Sequence, residues 1–272
     1  MPELPEVETI VRGLQTPLLG RTITAAKVLW HNTARPSVVE VEAKLPQRRI
    51  EALSRRGKYL KFVLSGGKML FIHLKMSGDL RVLPQSQAVH PHTRAFFNLD
   101  NGNRLEFKDP RKFGRIHLTD NPQSVIGTLG PEPLADDFSV DDFIALFERR
   151  SGRLKPLLMN QTFIAGLGNI YAAEACFWAR LDPRRPANTL SAADLARLYH
   201  AIRRVLRHGI MLKGATLDNV YRGGEFQNHF QVYGKTGKPC PRCGTPIARV
   251  MLAGRSTFFC PACQSAASTA SI

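Results

Sequence analysis

Two short cysteine motifs near the carboxyl end constrain this 272-residue chain more than any other feature. Cys240-Pro-Arg-Cys243 is followed, after sixteen residues, by Cys260-Pro-Ala-Cys263. Two knuckles at that separation place four thiolates tetrahedrally on one Zn²⁺ ion, with β-hairpins around it. Gly244, directly behind the first knuckle, permits the tight turn that aims backbone N–H groups at sulfur. A redox dithiol is the alternative, and the presence of two matched pairs argues against it. Five cysteines are too few for a disulfide scaffold. A ribbon of this kind binds something but does not by itself catalyse. Cys176, the fifth cysteine, falls on an apolar helical face and reads as a buried structural thiol.

Upstream of the ribbon the texture changes twice. Val7, Ile10, Val11 and Leu14 carry the spacing of an amphipathic helix, closed by Gly20. From Thr22 to about Leu118 the chain breaks into short strand-like runs: 22–30, 59–64, 69–74, 80–83, 95–99 and 104–107. Ser65-Gly66-Gly67 and Asp100-Asn101-Gly102 separate neighbours as hairpin turns do. These features predict a β-sandwich or flattened barrel with one leading helix. Gly130-Pro131-Glu132-Pro133 is a stiff linker that neither element type can continue. Beyond it helices are expected over 140–149 behind a Ser139 cap, over 154–160, over 169–179, and in a long segment opened by a Ser191/Asp194 capping box. In that last helix Leu195, Leu198, Ile202, Val205 and Leu206 face the core while Arg203, Arg204 and Arg207 face out. The fold class is therefore α+β, in three parts: a sandwich over 2–130, a helical domain over 131–228 and a zinc finger over 229–267.

Charge narrows the partner. Lys and Arg number 38 against 22 Asp and Glu, a formal +16. A surplus of that size suits a polyanion, because each phosphate neutralised releases counterions. No stretch approaches the roughly 20 apolar residues that span a bilayer. The first eight residues hold three acids and no basic region, unlike a secretory signal. The expectation is a cytoplasmic, nucleoid-associated monomer without a membrane partner.

The amino terminus is chemically specific. Pro2 follows Met1, and methionine is removed in maturation before a residue as small as proline. The exposed group would be a secondary amine with a pKa near 8 or below. Unlike a lysine, such an amine is substantially unprotonated at neutral pH and can attack an aldehyde-like carbon. Glu3, next to it, could act as a general acid.

The opening Met1-Pro2-Glu3-Leu4-Pro5-Glu6-Val7-Glu8-Thr9 closely resembles that of the formamidopyrimidine-DNA glycosylases. The likeness continues through 55–60 (RRGKYL), 73–78 (HLKMSG), 109–114 (DPRKFG), 129–134 (LGPEPL), 166–171 (GLGNIY) and 231–234 (QVYG), and ends in 255–260 (RSTFFC). It thus spans the chain. The resemblance implies a bifunctional DNA glycosylase and lyase of base excision repair. The damaged double-stranded DNA would have its target nucleotide turned out of the stack. Oxidised purines, 8-oxoguanine and formamidopyrimidines, would be removed through a Schiff base, followed by β and δ elimination. The implied catalytic residues are Pro2 as nucleophile, Glu3 as acid, Lys58 as proton donor or phosphate partner, and Arg255 on the zinc hairpin. The implied DNA contacts are Met76, His90, Arg111, Phe113, Arg150, Lys155 and Asn169. Met76 and Phe113 would be wedges and Arg111 the partner of the estranged base. Asn169, in a helix-two-turns-helix, would present donors to a phosphate. Cys240, Cys243, Cys260 and Cys263 would hold the one structural Zn²⁺.

Two residues depart from the family pattern. Lys75 stands where glycine is usual, and Lys112 where arginine is more frequent. The loop from about Gly214 to Asn228, which in this family covers the extruded base, is too variable to read. Two alternatives remain at this point: the endonuclease VIII branch of the same superfamily, which prefers oxidised pyrimidines, and a non-catalytic zinc-ribbon protein that binds DNA or RNA. Leu4 and Val7 favour the purine branch over the first, and the Pro2-Glu3 terminus argues against the second.

Overall fold

A computed structural model describes residues 1–216 and 223–265. The chain forms two compact units. The first takes Met1–Thr128 and, of the described residues, 213–216 and 223–224; the second takes Leu129–Leu212 and 225–265.

The first unit opens with α1 (Leu4–Leu18), whose Pro5 lies in the first turn, where its missing N–H costs nothing. Val7, Val11, Leu14 and Leu18 form its buried stripe. Then come β1 (Thr22–Val28), β2 (Ala34–Arg35), α2 (Val38–Lys44), β3 (Arg48–Arg56), β4 (Tyr59–Leu64), β5 (Met69–His73), β6 (Asp79–Pro84), β7 (Thr93–Leu99), β8 (Asn103–Lys108), β9 (Arg115–Thr119) and a short α3 (Gln123–Ile126). The strands make one nine-stranded sheet, ordered β2-β9-β5-β4-β3-β1-β7-β8-β6. Its two halves meet only where Thr22 and Ile23 pair with Arg49 and Arg48. Leu60, Phe62, Ile72 and Ile116 from one half share a single core with Ala95, Phe97, Leu105 and Phe107 from the other, and with α1. The sheet is folded over on itself, which is the sandwich expected. Strands β3 and β9 and helix α2 had no clear signal in the sequence. In β3 only Ile50 and Leu53 are buried, and the basic and acidic residues around them hide the alternation.

The second unit contains α4 (Val140–Ala145), α5 (Leu154–Met159), α6 (Asn169–Trp178), α7 (Ala192–Met211) and the hairpin β10 (Ala248–Leu252) with β11 (Arg255–Phe259). Ser139 caps α4 by accepting from Asp142 N at 3.1 Å. That helix ends four residues short of Arg149, which itself adopts φ +58°. Ser191 and Asp194 form the expected reciprocal box at the start of α7, with both bonds at 3.1 Å. Helix α6 is buried on all sides from Ile170 to Phe177, so it is the hub of this unit.

Candidate functional site

At the amino terminus Met1 is half exposed, while Pro2 directly behind it is buried. Removing Met1 would therefore sacrifice little packing and uncover the proline nitrogen. Glu3 and Glu6 are each only 3% exposed. The Glu6 carboxylate accepts from Glu3 N at 2.8 Å and from Ala215 N at 2.7 Å. One buried side chain thus ties the start of α1 to the segment returning at 213–216. Gly214 has φ +79°, and a Cβ there would lie 2.7 Å from the Glu6 carboxylate, so only glycine suits this approach. Thr216 Oγ1 accepts from Gly224 N and donates to Gly224 O, closing the base of the loop. Residues 217–222 of the loop expected to cover the extruded base lie outside the described residues.

Lys58 sits in the β3–β4 turn and is only 4% exposed. Near it lies His73, which the sequence reading passed over. Burial, and the charges of Lys75 and Lys58, push the His73 pKa down to about 3. Its Nδ1 accepts from Lys75 N at 2.9 Å, which leaves the ring proton on Nε2 as a donor. Tyr59 packs edge-on against the ring at 4.7 Å. Lys75 has φ +52°, which gives the physical reason that glycine is usual there.

Two turns of this unit project side chains. Met76, between β5 and β6, is 37% exposed, and Phe113, between β8 and β9, is 47% exposed. The Arg111 guanidinium lies 5.2 Å from the centre of the Phe113 ring. Lys112 (φ +62°) turns its ammonium 4.0 Å over the Trp30 ring. His90 is exposed in the β6–β7 loop, where its Nδ1 accepts from His92 N at 3.0 Å. The buried Arg104–Glu106 pair, 3.0 Å apart, anchors that loop through Gln87 O.

In the second unit the four cysteine sulfurs lie within 4.8 Å of one another. Cys240 and Cys263 are 3.9 Å apart, and Cys243 and Cys260 are 3.5 Å apart. A tetrahedron with Zn–S bonds of about 2.3 Å has edges of about 3.8 Å, so the cluster fits zinc. Arg242 N and Cys263 N point at Cys240 and Cys260 sulfur, each at 3.4 Å, which helps to disperse thiolate charge. Cys176 is buried, and burial pushes its pKa up to about 12, so it is inert.

Lys155 is 1% exposed, and its ammonium donates to Asn169 Oδ1 at 2.6 Å and to Ser256 O and Thr257 Oγ1 at 2.9 Å. It fixes Asn169, at the first position of α6, and the zinc hairpin together. Gln161, another residue the sequence reading missed, holds the turn before α6. It accepts from Gly166 N at 2.9 Å and donates to Leu167 O at 2.8 Å. Glu174, also missed, is a buried carboxylate accepting from the amides of Gln231, Val232 and Tyr233 at 2.9–3.0 Å. Arg255 is exposed at the head of β11. With Lys155, Met159, Asn160, Leu252 and Thr257 it lines a cleft of about 190 Å³. Arg150, also exposed, lies beyond α4 with its guanidinium 5.9 Å from the Phe163 ring centre.

A folded-over sheet, helices with a glycine turn into α6, and a four-cysteine ribbon together define the architecture of a zinc-ribbon DNA glycosylase. Three family models cover the chain in order: the formamidopyrimidine-DNA glycosylase N-terminal domain over residues 1–116, its H2TH domain over 129–220, and the zinc finger found in FPG and IleRS over 237–266. The chain belongs to the formamidopyrimidine-DNA glycosylase family, the base excision repair enzymes for oxidised purines. It is 45% identical to the formamidopyrimidine-DNA glycosylase of Herpetosiphon aurantiacus, over 97% of this chain and 100% of that one. The Lactococcus lactis Fpg in complex with abasic-site DNA superposes with a TM-score of 0.91 at 34% identity, over 97% of this chain and all of that one. MutM in complex with DNA containing carbocyclic 8-oxo-G matches equally well, with a TM-score of 0.91, 34% identity and the same coverage.

Proposed function

We propose that this chain excises 8-oxoguanine and formamidopyrimidines from double-stranded DNA and cuts the strand, with Pro2 as the nucleophile. The observation that carries the reading is the terminus itself: a buried Pro2 behind a dispensable Met1, with buried Glu3 beside it. The Pro2 lone pair forms a bond to C1′ of the extruded nucleotide as the bond to the base breaks. Glu3 protonates the ring oxygen as the sugar opens, which yields an iminium ion. Loss of a C2′ proton into that electron sink expels the 3′ phosphate. A second elimination expels the 5′ phosphate and leaves a one-nucleotide gap.

The remaining site residues bind. Lys58 and the neutral His73 offer donors to the phosphates of the displaced nucleotide. Asn169, held by Lys155, offers amide donors at a helix start, and Arg255 clamps the flanking phosphates and serves the second elimination. Met76 and Phe113 fill the hole left in the stack while Arg111 pairs with the orphaned base. His90 and Arg150 add phosphate contacts at the margin. The protein works as a monomer in the cytoplasm, at the nucleoid. Among the described residues no helix is long and apolar enough to cross a membrane.

Borohydride trapping tests this reading. A damaged duplex should become covalently attached to the mature protein, weakly to Pro2→Gly, and not at all to a protein carrying an amino-terminal extension. Efficient trapping by the extended protein would make another residue the nucleophile.

A further inference from the structure

The two projecting turns of the first unit are built on a common foundation, and neither the family pattern nor the proposed chemistry assigns its residues a role. Asp109 is 1% exposed, and its side-chain carboxylate is directed at these two turns. Its Oδ1 accepts from Ser77 Oγ and, at 3.2 Å, from Arg111 N. Its Oδ2 accepts from Gly114 N at 2.7 Å. Its backbone carbonyl takes the guanidinium Nε of buried Arg94 at 2.7 Å. Ser77, 5% exposed, belongs to the other turn and lies next to Met76. Its hydroxyl oxygen also accepts from Arg111 N, at 3.2 Å, so the two turns are stitched directly to each other.

Beneath this polar layer lies a single ring. Phe107 is fully buried, and a Cβ at Gly114 would approach it to 2.3 Å, and one at Gly78 to 2.9 Å. Both turns therefore close on the same aromatic face through a glycine that no larger residue can replace without displacement. Turns of five and six residues with exposed apolar tips are expensive to hold open in water unless their backbone amides are satisfied internally. Here one carboxylate satisfies two amides of the 109–114 turn while binding the hydroxyl of the other.

We propose that Asp109 and Ser77 are positioning residues that lock the Met76 and Phe113 turns into one preformed wedge, so that both side chains enter the stack in fixed relation. This rests on the reading of Met76 and Phe113 as wedges. A carboxylate is required rather than an amide. Each of its oxygens faces a backbone N–H, that of Arg111 on Oδ1 and that of Gly114 on Oδ2, so an asparagine would turn its N–H₂ against one of these donors.

The test compares excision of 8-oxoguanine from duplex with cleavage of an abasic site in single-stranded DNA, which has no stack to open. The ratio of the two rates cancels any change in folded fraction. Ser77→Ala, which removes only the two bonds its hydroxyl makes between the turns, should lower the ratio roughly tenfold, and Asp109→Asn by about a hundredfold, the scale of an ångström-size misplacement. The fluorescence rise of 2-aminopurine placed beside the lesion, which reports unstacking, should fall in step. In a Met76→Ala/Phe113→Ala background, Ser77→Ala should cause no further loss, because the positioned side chains are already gone. An unchanged ratio for both Ser77→Ala and Asp109→Asn, or a full additional loss in that background, would overturn the proposal. If Met76→Ala/Phe113→Ala itself leaves the ratio intact, the wedge reading fails first and this proposal with it.

Discussion

The two units secure their exposed cationic groups in opposite ways. The first relies on Asp109, a buried carboxylate that collects backbone amides two and five positions along the chain beneath the Arg111 turn, with Glu6 as its one long reach, to Ala215. The second uses sulfur, a buried ammonium and a buried carboxylate that all reach far along the sequence. Lys155 binds residues 101 and 102 positions away, and Glu174 gathers amides 57–59 positions away. Losing one local tie shifts a turn but leaves the unit folded, because the sheet beneath is held by its own ladder. Long-range ties do not, since each joins segments with little else in common. Chemistry carried by the first unit should therefore tolerate damage that abolishes grip in the second.

Removing the metal should break the comparison most visibly. Cys243→Ser or Cys260→Ser should lose Zn²⁺ and duplex affinity together, since structural zinc contributes on the order of 10 kcal/mol to folding a ribbon. The first unit should keep its fold. Equilibrium binding, metal content and circular dichroism check this, and tight lesion binding by a zinc-free protein would contradict it.

A smaller effect is expected from Lys155→Met. The long apolar replacement fills the space but strands three acceptors, at about 1–3 kcal/mol for each one left unpaired. Thermal stability should fall, and affinity for abasic-site duplex should fall more than tenfold, measured by titration at fixed salt. An unchanged melting temperature with lowered affinity would mean that this ammonium faces phosphate instead.

The smallest effect concerns pH in the first unit. Folded His73 stays neutral down to about pH 3, whereas an unfolded-chain histidine takes up a proton near 6.5. Between these values the unfolded chain binds more protons. Stability is therefore complete above about pH 6.5 and declines as pH falls through the window. The pKa of His117 is lowered in the same direction, chiefly by burial. His73→Gln should flatten part of the decline in denaturant midpoint between pH 6.5 and 4. An identical slope in the variant would show that this ring is not buried in its neutral form.

Much of this architecture was legible in the sequence because its signals are local. The Ser139 and Ser191 caps, the glycine turns and the cysteine spacing each need only a few neighbouring residues to declare themselves. Strand β3 was not legible, since its four arginines and one glutamate break up the alternation and only two apolar residues mark the core face. His73, Gln161 and Glu174 were missed for a different reason. Their roles depend on burial and on partners from other segments, which a one-dimensional pattern cannot show. Nor does anything local mark Lys58 and Lys155 as buried, yet both are almost wholly enclosed.

The central claim is that the reacting nitrogen belongs to Pro2, and it is tested most directly by locating the trapped sugar. The mature protein is cross-linked to 8-oxoguanine duplex with borohydride, digested with nuclease and protease, and sequenced by mass spectrometry. The account predicts the deoxyribose remnant on the peptide that begins Pro2-Glu3-Leu4, at its amino-terminal nitrogen. The remnant on the Lys58 ammonium, with the Pro2 peptide unmodified, would contradict it.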